Sequence, residues 1–141
     1  MQVFVPYPSP IDVAKCLDNK RLWKQHLECQ QILAALSGRS TSYVNHPATK
    51  MYTDHVAWLT RYDHCLEQYH SGNVTAANWW SSEADAVRPD FLTEEFCDQH
   101  KRRLYTKSPE DYPQFAKFGK SDENWYVPEG EVVKYNKGKK V

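Results

Sequence analysis

The chain has 141 residues, a length that suits one domain on one hydrophobic core, and a core of that size needs neither a disulfide nor a metal to hold it. Hydrophobic residues make up 40%, with five Trp, nine Tyr and five Phe, and no apolar run approaches the ~20 residues of a membrane-spanning helix. Formal net charge is zero, so total charge does not advertise a nucleic-acid or membrane partner. In chain order, Gln2 to Val5 alternates briefly and reads as a short strand or an extended arm. Ser9-Pro10 is a helix start, with Ser at the N-cap and Pro at the first helical position. From Ile11 to Leu36 there is neither Gly nor Pro, which predicts a long helix with room for a break near Asp18-Asn19. Leu22, Cys29, Leu33 and Leu36 form its apolar stripe, and Gly38 ends it.

A second helix is predicted from Asn45-His46-Pro47 to about Ser71-Gly72-Asn73, with Met51, Val56, Leu59, Tyr62 and Leu66 at helical spacing. Residues 73–91 are ambiguous, although Ala76 to Trp80 suits a short helix. Thr93 caps a third main helix running to about Thr106. Ser108-Pro109-Glu110-Asp111 resembles a capping box for a fourth, short one. Beyond Gly119 the chain turns aromatic and then basic. Trp125 to Pro128 is expected to pack on the body, and Lys137 to Lys140 to fray. The fold class read from this pattern is mainly α: a small single-domain helical bundle over residues 1–141, with a short N-terminal extended arm and an aromatic-rich irregular C-terminal tail whose last residues, 133–141, fray. No internal repeat or linker is visible.

Charge is unevenly spread. The first fifty residues carry six basic and three acidic side chains, the next fifty two and nine, and the remainder ten and six. A fold that joins the two ends would have a basic face and an acidic back, which is what DNA binding needs. The four cysteines, Cys16, Cys29, Cys65 and Cys97, form no C-x-x-C pair and follow no leader-like segment, so cytoplasmic thiols are the expectation.

Asp18, Arg21, Gln25 and Glu28 recur at i, i+3, i+7 and i+10, which places them within about 80° of one another on a helix. Lys24 flanks them. A carboxylate beside an arginine and an amide at a core edge suits chemistry on a cationic intermediate, with Arg21 holding a phosphate. The same spacing also suits ordinary charge pairing on a solvated face. His26-Leu27-Glu28 matches half of a zinc-deaminase signature, but the P-C-x-x-C half is absent. His46, His55 and His64 are nine apart, so the middle one faces away from the others, and no metal site is expected. There is no phosphate-binding glycine loop and no G-x-S-x-G elbow.

The opening Met1-Gln2-Val3-Phe4-Val5-Pro6-Tyr7-Pro8, the string Leu17-Asp18-Asn19-Lys20-Arg21-Leu22-Trp23-Lys24-Gln25-His26-Leu27-Glu28, and Asn45-His46-Pro47 with Lys50-Met51-Tyr52 resemble a bacterial and phage branch of the pyrimidine-dimer DNA glycosylase family. His100 to Leu104, followed by Lys107 to Tyr112, resembles that family's C-terminal signature. The resemblance touches residues 1–67 and 97–128. It implies a small helical base-flipping enzyme that cuts the N-glycosidic bond at a lesion and then cleaves the strand by β-elimination through an imine. It assigns the catalytic glutamate to Glu28 and phosphate-gripping roles to Arg21, Lys24, Arg103 and Lys107. Asp18, Gln25, Asn45, His46, His100 and Tyr112 join the substrate-binding set. The family's nucleophile is the α-amine exposed when the initiator Met is removed. Gln2 is bulky enough to block that removal, so Met1 is expected to stay. The expected order is base release without an imine, then an imine at the Met1 amine, then one at Lys24 or Lys20. No cofactor is expected, and the partner is DNA or a nucleotide. Two other functions share this pocket: a non-catalytic protein that binds a nucleotide or modified base, and a glycosidic hydrolase of free nucleotides.

Overall fold

A computed structural model describes residues 2–82 and 87–126 in full, and the backbone alone of 133–136 and 139–140. Its helices are α1 (Pro10–Cys16), α2 (Asn19–Leu36), α3 (Pro47–Lys50), α4 (Val56–His70), α5 (Val74–Ser82) and α6 (Glu94–Lys107), followed by a 3-10 helix (Pro113–Phe118). Strands β1 (Asn124–Tyr126), β2 (Val133–Asn136) and β3 (Lys139–Lys140) pair antiparallel in that order, with Trp125 opposite Lys134 and Tyr135 opposite Lys140. The mainly helical class is as the sequence indicates, and the three strands lie within the tail read as irregular and frayed. Lys137 and Gly138 lie outside the described residues.

The predicted long first helix is two. Leu17 and Asp18 are extended, and Asp18 restarts the helix by accepting the Arg21 N–H on its carboxylate at 3.2 Å. Ser9 stands at the N-cap of α1 but does not cap it with its own side chain. The hydroxyl of Ser81, from α5, accepts the Ile11 N–H at 3.0 Å instead. At the far end of α2, Gly38 has a φ of 80°, and the Arg39 N–H returns to the Ala34 carbonyl at 2.9 Å. A left-handed residue there lets the chain close on the last carbonyls, as the sequence suggests.

The predicted second helix is also divided. It stops after Lys50, turns, and restarts at Val56. The turn buries Met51 and Tyr52 side by side and lets Tyr52 lie parallel to Trp58 at 6.3 Å. The restart changes phase, so Val56 is exposed and the buried face of α4 runs through Trp58, Leu59, Tyr62, Asp63, Cys65 and Leu66. The short helix expected at 76–80 is the longer α5, while Thr93 caps α6 by accepting the Phe96 N–H at 3.2 Å. Ser108 does not cap a helix. Its hydroxyl donates to Asp111 at 2.6 Å, and the helical turn begins only at Pro113.

Helix α4 packs against α1, α2 and α5, while α6 packs against the 3-10 helix and β1. The core is ring-rich: Phe4, Tyr52, Tyr62, Phe96, Tyr112, Phe115 and Tyr126 are the largest buried side chains. Each such burial contributes roughly 2–3 kcal/mol of transfer free energy. All four cysteines are free. Burial pushes the Cys16 and Cys65 thiols up to about 12 and Cys97 up to about 11, so they stay protonated packing groups at neutral pH. Among the described residues, no helix is long and apolar enough to cross a membrane.

Candidate active site

The N-terminal arm is central to the site. Residues 2–5 are extended and buried, laid across α2, α4 and α6. The carboxylate of Glu28 accepts the Gln2 N–H at 3.2 Å and the Gln25 side-chain amide at 3.4 Å. Burial raises the pKa of Glu28. The Gln2 N–H and the positive charges of Arg21 and Lys24 work against that rise. Such a carboxylate is a better proton acceptor than a solvated one, and it stands where a positive charge would be strongly stabilised.

Beside it lies a basic recess. Lys20, Arg21 and Lys24 from α2, Leu104 and Lys107 from α6, and Ser108, Asp111 and Tyr112 of the following turn enclose a cavity of about 240 Å3, with Asp18 at its edge. The ε-amine of Lys107 has its pKa lowered, first by burial and then by repulsion from Arg103, Arg21 and Lys24, with Glu28 opposing. Arg103 feels Arg21 in the same way. Arg21, Lys24, Arg103, Lys107 and Glu28 therefore share one electrostatic neighbourhood, contributed by both basic ends of the chain. Arg103 is steadied by the Asn124 side chain at 3.2 Å, and Arg21 lies over the Phe4 ring at 5.5 Å.

Asp18, Gln25, His46 and His100 are each held by hydrogen bonds within the fold. Asp18 is committed to the α2 cap and to Tyr112, whose hydroxyl donates to its carboxylate and accepts its N–H at 3.3 Å. Gln25 and His100 are each 1% exposed and face the arm. Val5 donates its N–H to His100 Nδ1 at 2.7 Å, and burial drives the His100 pKa down to about 3, so the ring is neutral. His46 is half-buried at the N-cap of α3, where it accepts the Ala48 N–H at 3.0 Å and meets Tyr126 edge-on at 5.6 Å. Asn45 is exposed in the preceding loop. Met1 lies outside the described residues.

Sequence reasoning missed Gln2 and Tyr62 as parts of the site. The only signal was a polar residue opening an otherwise apolar run. It also missed the pair on the other side of α2. His26 Nδ1 donates to the buried Asp63 at 2.6 Å, and the Gln30 amide donates to the other oxygen of that carboxylate. Among the described residues, no group of His, Cys, Asp and Glu is arranged to hold a metal.

Residues 1–70 match the family model for pyrimidine dimer DNA glycosylase, and over that stretch the chain belongs to that family. The family's activity is DNA repair by glycosylase action on pyrimidine damage, with DNA as substrate. The matched stretch holds the arm, Arg21, Lys24, Gln25, Glu28 and His46, whereas His100, Arg103, Lys107 and Tyr112 fall beyond it. No curated protein and no solved structure matches the chain.

Proposed function

We propose that this protein releases a damaged pyrimidine base from DNA, with Glu28 as the catalytic carboxylate and Arg21, Lys24, Arg103 and Lys107 as its grip on the phosphates. The observation that carries the reading is the position of Glu28: a half-buried carboxylate, oriented by two N–H donors, beside a recess lined with cations. Breaking the glycosidic bond sends its electron pair out with the base and leaves positive charge on the sugar at C1′. A fixed carboxylate in a poorly hydrated site stabilises that charge without having to reorganise. Water then adds to C1′ and gives its proton to Glu28. The cations hold the strand on both sides of the extruded nucleotide and carry no sequence information.

Base release is the reaction proposed, and strand cleavage through an imine is a separate step. Of the amines, that of residue 1 ranks ahead of Lys24, because a free α-amine has an ordinary pKa of about 8 against about 10.4 for a lysine, and Lys24 is exposed.

The test is base release from ultraviolet-irradiated duplex, with borohydride added in parallel to trap any imine. Glu28→Gln is expected to lower base release by a factor on the order of 100 or more while the protein stays folded. Mononucleotide binding with no release from duplex would replace this reading with a nucleotide-binding one. Hydrolysis of free nucleotides would replace it with the third. A covalent adduct would add the lyase step, and peptide mapping would identify its amine.

A further inference from the structure

Residues 2–5 are buried and extended, yet among the described residues no strand lies beside them, so their backbone groups must be satisfied in another way. Gln25 takes the place of the missing strand. Its oxygen accepts the Phe4 N–H at 2.8 Å, and its nitrogen donates to the Gln2 carbonyl at 3.2 Å. One amide side chain thus copies the acceptor and donor that a neighbouring strand would offer. His100 accepts the Val5 N–H, and the Tyr62 hydroxyl donates to the Phe4 carbonyl. Because Nδ1 of His100 is used as an acceptor, its proton sits on Nε2, and the ring bonds the Trp125 backbone. Helices α2, α4 and α6 each contribute one buried polar side chain to a four-residue segment.

Val3, Phe4 and Val5 are buried, so apolar packing alone would hold the arm against the body. Packing is not directional, however, and a slip of one residue would reverse which side chains point inward. Buried hydrogen bonds are directional, and each costs about 1–3 kcal/mol if left unmade. Their effect is to fix which backbone group stands where. The group placed at the end of this array is the Gln2 N–H, and it points at Glu28.

We propose that Gln25 and His100 are positioning residues, which set the register of residues 2–5 and thereby hold the Gln2 N–H on the Glu28 carboxylate. The proton affinity of Glu28 is then a property of the arm as well as of its own helix. The arm donor opposes the effect of burial, alongside Arg21 and Lys24 on α2 and Lys107 from α6. The catalytic consequence rests on the reading of Glu28 above, but the geometric one does not.

The decisive measurement is the titration of the Glu28 side-chain carboxyl by carbon NMR in the full chain, in wild type, Gln25→Leu, His100→Leu, His100→Asn and Leu59→Ala. Loss of register removes the Gln2 N–H, so the Glu28 midpoint should move upward in His100→Leu, which removes no direct bond to Glu28, and further in Gln25→Leu, which also removes a direct donor. His100→Asn keeps an acceptor for Val5 and should return the midpoint towards wild type. Leu59→Ala, a core change that removes no hydrogen bond to the arm, should leave it where it was. An unchanged midpoint in His100→Leu overturns the proposal. If those variants do not fold, amide exchange in the wild type decides. Slow exchange at Phe4 and Val5 supports a locked register, and exchange as fast as at the exposed Ser42 rejects it. In the activity assay, Gln25→Leu should lower kcat on the order of a hundredfold with KM little changed. Absence of base release in wild type, with the titration shifts intact, would remove the glycosylase reading and leave the positioning role standing.

Discussion

Half-buried Glu28 and fully buried His100 are titratable groups whose contributions to stability depend on pH in opposite directions. The pKa of Glu28 is raised in the fold, so its contribution to stability is full below its ordinary value of 4.5 and is lost as pH rises through the higher folded value. Glu28→Gln mimics the protonated acid. It should therefore be more stable than wild type at pH 8, with the difference vanishing near pH 4, as read from urea midpoints. A Gln variant less stable than wild type at pH 8 would mean that the carboxylate is structural. His100 has its pKa lowered from 6.5 to about 3, so the unfolded chain takes up a proton that the fold refuses. Stability from this residue is lost as pH falls below 6.5. His100→Asn should flatten the acid side of the stability profile between pH 6.5 and about 4, and a slope equal to that of wild type would contradict the burial assigned to the ring.

Helix α2 is held from two sides. One face carries Gln25 and Glu28 to the arm, and the other carries His26 and Gln30 to Asp63 on α4. Burial raises the pKa of Asp63, against the lowering effect of its bonds to His26 and Gln30. Asp63→Ala leaves His26 and Gln30 without that acceptor, and removing one member of a buried pair costs about 3 kcal/mol or more. Urea unfolding should show a loss of that size, and a loss under about 1 kcal/mol would show the pair to be incidental. The same logic explains why α1 and α2 are separate helices. Asp18 alone is a modest cap, but Tyr112 binds it through both the carboxylate and the N–H, and that anchors the break.

Across the whole molecule, the two basic ends of the chain meet at one recess, although formal net charge is zero. Duplex binding by the Glu28→Gln variant should weaken steeply with salt, since each neutralised phosphate releases condensed counterions. Lys24→Ala and Lys107→Ala should each reduce the logarithmic salt slope by roughly one, with little change in Tm. Fluorescence anisotropy at several salt concentrations measures this. A slope near zero in the parent would exclude a duplex held through phosphates at this recess.

Periodicity, caps and the absence of glycine were enough to establish a mainly helical chain, because these are local properties of neighbouring residues. Thr93, Pro10 and Gly38 mark helix ends by chemistry that acts within a few residues, and the spacing of Arg21, Gln25 and Glu28 put them on one face for the same reason. The family resemblance drew on that stretch, on the rest of residues 1–67 and on residues 97–128. Tertiary structure alone decided which of those side chains meet other parts of the chain. Gln25 and His100, read from sequence as ligand contacts, face the arm, because a buried backbone without a strand partner must find its hydrogen bonds elsewhere. The break after Lys50, the turn at Ser108 and the tie between His26 and Asp63 all depend on partners distant in sequence or on burial, which no local pattern encodes.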